Sequence, residues 1–600
     1  MKVDSPFSWH LPAQLSAWLV MLVLPFIYFF SENHAILTIE LAGAASGLIF
    51  GLLIITGRLG CGSRFRVFTA LLLTWLFLAG RSIFVSVDAS TSWPVFIKMA
   101  ALGMTCLFIA SALAMSRNYQ VFYRAAAWAG IIHGIIAVHE YIEAPPIPST
   151  WLDPSARSLF RTRCAGIFTD PNIFAAFLAA IFLLTIGLML TSGKRSERVL
   201  ACVSLVLEGF ALLSTLSRGG WIGLAAGAAL LFFMKFKNGS SIEPGSRWAL
   251  IAVGVVLTII FIAGPFKMRL VSISNPADMT FAQRTLINRG IFRSISRFPI
   301  AGHGLHTFNQ VYPRYRIVGG DYPMNAHNEL IHSMIETGFL SAFILGASAL
   351  LLIISVIKIP PGAFPHSGVF AAVFFSLLVQ NMSGFSSRIL PTAALIPLAV
   401  GAMMSFFARP CRAKAVSRSR KTISLIFFLA AVLITTEGLH SFTVQQKIQI
   451  AGDFLREGRF EMANAELEAV EQLAPENPSI YSMLGTAFFH AGDHGRAEQM
   501  WQKAATLNPG EAIFFINLAR LAAKTDAIEA ENFYQQALLL DPASENYRLE
   551  FARFLMAQKR NSEALAQLIA GLSFSPGFHD VYTGFKNIET LRDQLLHLLR

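Results

Sequence analysis

Thirteen stretches of about 20 mostly apolar residues run through the first 441 positions, near 11–30, 35–56, 67–87, 94–115, 122–141, 172–191, 198–215, 219–236, 248–265, 329–357, 367–383, 389–408 and 422–441. That length matches the hydrocarbon thickness of a bilayer. In lipid every backbone N–H and C=O has to be satisfied internally, so the stretches are expected to be helices. Composition agrees: 54% of the 600 residues are hydrophobic, 14% are charged and mean hydropathy is +0.54. A soluble chain would carry roughly a quarter charged residues. The deficit ends near residue 445, and 445–600 have ordinary soluble composition. The expected fold is all-α: a polytopic bundle of about 12–13 spans over 1–441, then a soluble domain over 445–600.

Alternate loops differ in charge. One set holds Arg58, Arg64 and Arg66; Arg117 and Arg124; Lys194, Arg195 and Arg198; Lys235, Lys237 and Arg247; Lys358; and "RPCRAKAVSRSRK" at 409–421. The short loops of the other set, "SENHA" and "VDASTSWP", hold no Lys or Arg. Excess Lys and Arg marks the cytoplasm, which places the N-terminus inside and, after thirteen spans, the C-terminal domain outside. The first apolar run lacks a small-residue cleavage signal and reads as a retained helix. The net charge of +12 is therefore a topology signal and not an argument for nucleic acid. Five scattered cysteines (Cys61, Cys106, Cys164, Cys202, Cys411) suggest neither a disulfide framework nor a metal site.

Three loops on the outer side break the charge rule. The loop at 142–171 carries Arg157, Arg161 and Arg163, and "STLSRGG" at 214–220 carries Arg218. The long loop at 266–328 carries Lys267, Arg269, Arg284, Arg289, Arg293, Arg297, Arg314 and Arg316. Arginine outnumbers lysine eleven to one across the three. Guanidinium suits phosphate and carboxylate bidentately, so an external anion site competes with simple headgroup contact. In "RTRCAGIFTDPN", Asp170 and Pro171 read as the N-cap and first position of a helix. Residues 281–298 read as helical, followed by the glycine-punctuated "FPIAGHGLHTF". His303 and His306, and His327 and His332, lack metalloprotease spacing, so no metal and no cofactor are expected.

"MNAHNELIHSMIETG" at 324–338 sets two histidines at the lip of an apolar run. With a helix beginning near Asn328, Leu330, Ile331, Met334 and Ile335 form its apolar side, and Glu329, His332 and Glu336 a solvated stripe. His327 then lies just before the first turn, as a wetted helix end or as a catalytic imidazole.

R-x-x-G-x-F-x-D-P-N (Arg163 to Asn172), S-R-G-x-W (Ser217 to Trp221), P-x-x-G-x-G-x-x-x-F (Pro299 to Phe308) and A-H-N-E-x-x-x-x-x-x-E-x-G (Ala326 to Gly338) occur in order over about 160–340. Together they resemble the O-antigen ligase and polymerase superfamily, GT-C-like membrane glycosyltransferases of bacteria. The resemblance implies a polyprenyl-diphosphate-linked glycan donor in the outer leaflet of the inner membrane. It implies Arg163, Arg218 and Arg284 on the diphosphate, with Arg218 and His327 catalytic and His327 facing the acceptor hydroxyl. Asn172, Gly302, Gly304, Asn328 and Glu336 would support them. The acceptor stays open among a lipid A core, a growing glycan and a protein. A transporter or export component is the competing class; it would call for ionisable residues near the midplane, for which Lys98, His133, His139 and Glu208 are the candidates. A repeat scaffold needing one anchor helix is a third.

In the tail, Pro475, Pro509, Pro542 and Pro576 are spaced by 34, 33 and 34 residues. The period resembles tetratricopeptide repeats, helix pairs stacked into a solenoid. Gly458 and Gly492 are expected at turns, and Ala465, Ala497, Ala530 and Ala564 at close helix contacts. Four helix pairs fit, with a capping helix near 577–600. Such a domain implies a protein or peptide partner, and no nucleic-acid module is evident.

Overall fold

The computed structural model describes residues 15–56, 59–148, 151, 160–168, 170–239, 242–271, 280–317, 323–410 and 418–574, with Thr590, Arg592, Asp593 and Leu596. Arg58, Arg157, Cys411, Pro576 and most of the expected capping helix lie outside the described residues.

The described chain is helical apart from one antiparallel pair of three-residue strands, Leu59–Cys61 with Ala408–Pro410. The first helices are α1 (Leu24–Phe30), α2 (Glu32–Ile55), α3 (Ser63–Ile83), α4 (Ala89–Ser116), α5 (Gln120–Glu143), α6 (Pro171–Thr191), α7 (Arg195–Ser214), α8 (Arg218–Lys237) and α9 (Pro244–Ala263). The long loop holds α10 (Phe266–Val271), α11 (Thr280–Ile295) and α12 (Phe308–Val311). Then come α13 (Glu329–Thr337), α14 (Phe339–Ile357), α15 (His366–Asn381), α16 (Leu390–Ala393), α17 (Leu395–Ser405) and α18 (Arg418–Arg456). Helix thus occupies all thirteen apolar stretches. Among the described residues nine helices are long and apolar enough to cross a membrane. Leu15–Phe30, His366–Asn381 and Leu390–Ser405 are shorter apolar helices.

The stretch at 329–357 is not one helix. Gly338, at φ +87°, ends α13 and starts α14 in a new direction. An added Cβ there would stand 2.1 Å from the Ile300 carbonyl oxygen, so glycine alone admits the close approach of the loop.

α6 is apolar all round and almost wholly buried, the centre of the bundle. α9 is equally apolar but turns Ile251, Val255, Ile259 and Ile262 outward, as a lipid-facing helix must. Small residues let helices close: a Cβ on Gly227 of α8 would meet the Ala372 carbonyl of α15 at 2.7 Å. The two loop sets separate to opposite ends. At one end Gln120 bonds Thr191, Arg124 pairs with Glu197 and Arg198 with Glu243. At the other, the loop face, 160–168, 214–217 and 266–271 pack on one another, and 299–304 and 382–388 both pack on 328–339.

α18 runs unbroken for 39 residues, about 58 Å, through the 441–445 boundary. Its far end is the first solenoid helix: Val444 and Ala451 share a core with Leu467, Val470 and Tyr481. α19 (Phe460–Leu473) completes that pair. α20 (Pro478–His490) with α21 (His494–Leu507), α22 (Ala512–Ala522) with α23 (Ala527–Leu540), and α24 (Glu545–Ala557) with α25 (Asn561–Phe574) form the next three. Ala497, Ala530 and Ala564 are buried contacts, as expected. In the first repeat the position belongs to Ala463, which is fully buried, and not to the exposed Ala465. Both lie on the same helix, but only Ala463 stands five residues after the turn glycine Gly458, as Ala497 does after Gly492.

The solenoid rests on the loop face. Gln310 Nε2 donates to Asp88 Oδ2 at 3.1 Å and Gln310 Oε1 accepts from Asn508 Nδ2 at 3.4 Å. Arg316 reaches the Ala543 carbonyl and Glu545.

Candidate active site

A small cavity of about 40 Å³ lies on the loop face, lined by Asn172, Ser217, Gly219, His327, Gln380 and the 383–386 loop. Three helix starts converge on it. α6 contributes Asn172 and Ile173, α8 contributes Ser217 and Gly219, and His327 immediately precedes Asn328, the N-cap of α13. Each start is capped: Asp170 accepts from Asn172 and Ile173 N–H, Ser217 from Gly220 N–H, and Asn328 from Ile331 N–H. Helix N-termini carry partial positive charge, so three together favour an anion.

Arg218 occupies the first position of α8 and is half-buried. A cation at a helix N-terminus opposes the macrodipole by roughly 0.3–1 kcal/mol.

Arg163 is turned inward onto its own loops. It is 3% exposed, and its guanidinium donates to the Thr215 carbonyl at 2.8 Å, to Asn172 Oδ1 at 2.9 Å and to the Trp151 carbonyl. Arg269 Nε donates to the Leu216 carbonyl at 3.1 Å, Cys164 N–H to Ser214 and Trp221 Nε1 to Leu212. The orphan carbonyls at the end of α7 are thus capped by two arginines, a backbone amide and an indole. Burial, then Arg269 and Arg218 close by, pull the Arg163 guanidinium down to about 9. The loop ahead of α6 is held by Glu140, whose carboxylate accepts from Ala165 and Gly166 N–H.

His327 sits at φ +51°, a left-handed backbone that costs a non-glycine residue roughly 1–2 kcal/mol. Its ring stands edge-on to Phe385, 5.4 Å between centroids. Such strain persists where the surroundings over-determine it, commonly at functional sites. Asn328 Nδ2 donates to the Met382 carbonyl at 3.1 Å, tying α13 to the facing wall.

In the stripe Glu329, His332 and Glu336 only Glu329 is partly exposed. Glu336 is 2% exposed and His332 equally buried. Arg388, from the turn before α16, donates to Glu329 through Nε and Nη2 and to Glu336 through Nη1 at 2.9 Å. Burial opposes ionisation of Glu336, but Arg388 and His332 hold its carboxyl well below the usual carboxylate range.

Gly302 and Gly304 lie away from the cavity. Both have positive φ, and the loop they form donates His303 N–H to the Ile335 carbonyl and Gly304 N–H to the Glu336 carbonyl, each at 2.9 Å. They cap the end of α13 and set its angle. His303 is buried against Ser294, 2.9 Å away, and burial pulls its imidazole down to about 4. Arg284 is half-buried on α11, which packs on α13, and is not among the cavity-lining residues.

Sequence reasoning brought together Asn172, Ser217, Gly219 and His327. It passed over Gln380, the 383–386 loop and Arg388, and counted Arg269 only among the arginines of the long loop. Arg388 had a signal, since it too is an arginine in a loop of the outer set.

No curated protein matches the chain. Among solved structures it is similar to the MamA protein (19% identity over 26% of this chain and 88% of that one, TM-score 0.22). It is also similar to a thermophilic TPR protein in Thermus thermophilus (19%, 30% and 94%, TM-score 0.23) and to yeast Tom70 (12%, 83% and 96%, TM-score 0.28). Residues 200–346 are similar to the family whose model is described as O-Antigen ligase, and the nine long apolar helices among the described residues fit a multi-pass membrane protein.

Proposed function

We propose that the protein transfers a glycan from a polyprenyl-diphosphate-linked donor to an acceptor hydroxyl at the periplasmic face of the bacterial inner membrane. The observation that carries this reading is the convergence of three helix N-termini and His327 on one cavity, with Arg218 standing in the chain between two lining residues, Ser217 and Gly219. The acceptor oxygen attacks the anomeric carbon and forms the new glycosidic bond. The bond from that carbon to the diphosphate oxygen breaks, its electron pair leaving with the lipid diphosphate. The hydroxyl proton passes to His327, an imidazole being suited to a base near neutral pH. Arg218 and the helix starts stabilise the growing charge of the leaving group without a metal.

Arg163 supports this site through Asn172 and the turn before Arg218, and Arg284 contributes a second donor-side cation from the long loop. The N-terminus is cytoplasmic and the solenoid, over 445–600, periplasmic, where it recruits a protein partner. The acceptor belongs to a lipid, a growing glycan or a protein.

The test is transfer in liposomes with a polyprenyl-diphosphate glycan donor. Arg218→Ala and His327→Ala should each lower kcat by roughly 10²–10³-fold with membrane insertion intact. Wild-type turnover by both would overturn the site. A reporter fused after residue 445 should be active only outside the cytoplasm.

A further inference from the structure

We infer that Arg388, Glu336 and His332 form a positioning relay that holds the peptide between Asn325 and Ala326, one residue ahead of the left-handed His327; the inference rests on the role proposed for His327. The chain of contacts is continuous. Arg388 Nη1 donates to Glu336 Oε2 at 2.9 Å. Glu336 Oε1 lies 2.8 Å from His332 Nε2, and His332 Nδ1 lies 3.2 Å from the backbone nitrogen of Ala326. A peptide N–H only donates, so Nδ1 is the acceptor and the ring proton sits on Nε2, aimed at Glu336. One buried imidazole is thereby fixed in tautomer and orientation from both sides. The peptide it holds leads into Ala326, the residue immediately before His327, whose φ is +51°.

Three further contacts fix the frame. Arg388 is anchored a second time by Glu329, at 3.0 and 3.2 Å. The His332 ring packs on Phe308, 4.7 Å between centroids. The Glu336 carbonyl accepts the Gly304 N–H. A buried ion pair is a weak source of stability compared with apolar packing, but a strong device for selecting one geometry. Here the geometry selected is that of the residue facing the cavity. None of the three relay groups lines that cavity, so they are positioning and not catalytic residues.

The relay makes a distinction between two substitutions of one residue. The Asn side chain places an amide where Nδ1 stands and still accepts from Ala326. The Gln side chain reaches the Nε2 position, still donates to Glu336 and leaves Ala326 N–H unmet. In the liposome assay with the full chain, Arg388→Met and His332→Gln should lower kcat by up to about 10²-fold, the scale of a small misplacement of a reacting group. The KM for donor should stay near wild type, and the shape of the pH profile should not change. His332→Asn should recover most of the lost kcat. Should Arg388→Met fail to accumulate, the Asn and Gln variants carry the comparison alone. Wild-type kcat in His332→Gln, or equal loss in the Asn and Gln variants, overturns the relay. A fully active His327→Ala overturns instead the reading on which it rests, and the two failures are told apart by that control.

Discussion

Arg163 Nη2 donates to Asn172 Oδ1 at 2.9 Å. The same oxygen accepts from Ser217 Oγ at 2.9 Å, so the amide is held with its oxygen inward and its NH₂ on the cavity side. Asn172→Asp keeps both inward bonds and replaces the outward donors with a charge. We expect it to fold normally and to raise the KM for a diphosphate donor by roughly 10–100-fold, the worth of one hydrogen bond to a charged group. Wild-type donor KM with unchanged Tm would remove Asn172 from the donor site.

Gly302, at φ +69°, lies so close to α13 that an added Cβ would stand 2.3 Å from the Glu336 carbonyl oxygen. The obstacle is backbone, which has no rotamer to yield. Gly302→Ala should cost more than the ~1–2 kcal/mol of left-handed strain alone and lower both Tm and turnover. A methyl group added at Gly254 of α9 would meet nothing within 4 Å, and Gly254→Ala is the control expected to leave both unchanged. Equal Tm values for the two variants would show that the loop is not the brace of α13.

Much of this arrangement was legible in the sequence where a local rule sufficed. Runs of about 20 apolar residues give helices, Asp170 before Pro171 gives a helix start, and the proline period gives the solenoid. The pairings that define the site are long-range and left no local trace. Glu329 and Glu336 have helical spacing and read as solvated because their partner, Arg388, stands 59 and 52 residues away. Arg163 reads as an anion ligand because two of the three acceptors it uses, the carbonyls of Thr215 and Trp151, belong to the backbone, where residue identity says nothing. The break at Gly338 is hidden because Leu330, Ile331, Met334 and Ile335 carry the apolar pattern straight up to it.

The register of the first repeat gives a stability prediction. Ala463 is fully buried and Ala465 exposed, two positions apart on α19. Ala463→Leu forces extra volume between packed helices and should cost about 1–3 kcal/mol. Ala465→Leu should change stability by less than about 0.5 kcal/mol. Thermal melting of the full chain followed by circular dichroism reads the difference, and the reverse order would move the helix contact back to Ala465.

Seating of the solenoid on the loop face should depend on pH. Glu511 is pushed up to about 7, by burial first and then by Asp88 and Asp541. Asp541 is pushed up to about 6 by burial, against the pull of Arg316, with Glu545 adding to the rise and Arg548 opposing it. Both are carboxyls whose pKa is higher when seated than in water, so the seated form holds protons that the released form gives up. Seating is therefore strongest below the ordinary carboxyl range of about 4–4.5, weakens as pH climbs to about 7, and levels off above it. Hydrogen exchange in α12, which leads into the contacts of Gln310 with Asp88 and Asn508, should be faster at pH 8 than at pH 5 after correction for the intrinsic rate. Glu511→Gln removes the carboxyl that titrates higher of the two and should flatten most of that difference while slowing exchange at pH 8. Equal protection of the wild type at both pH values would mean that these carboxyls do not control how the solenoid sits.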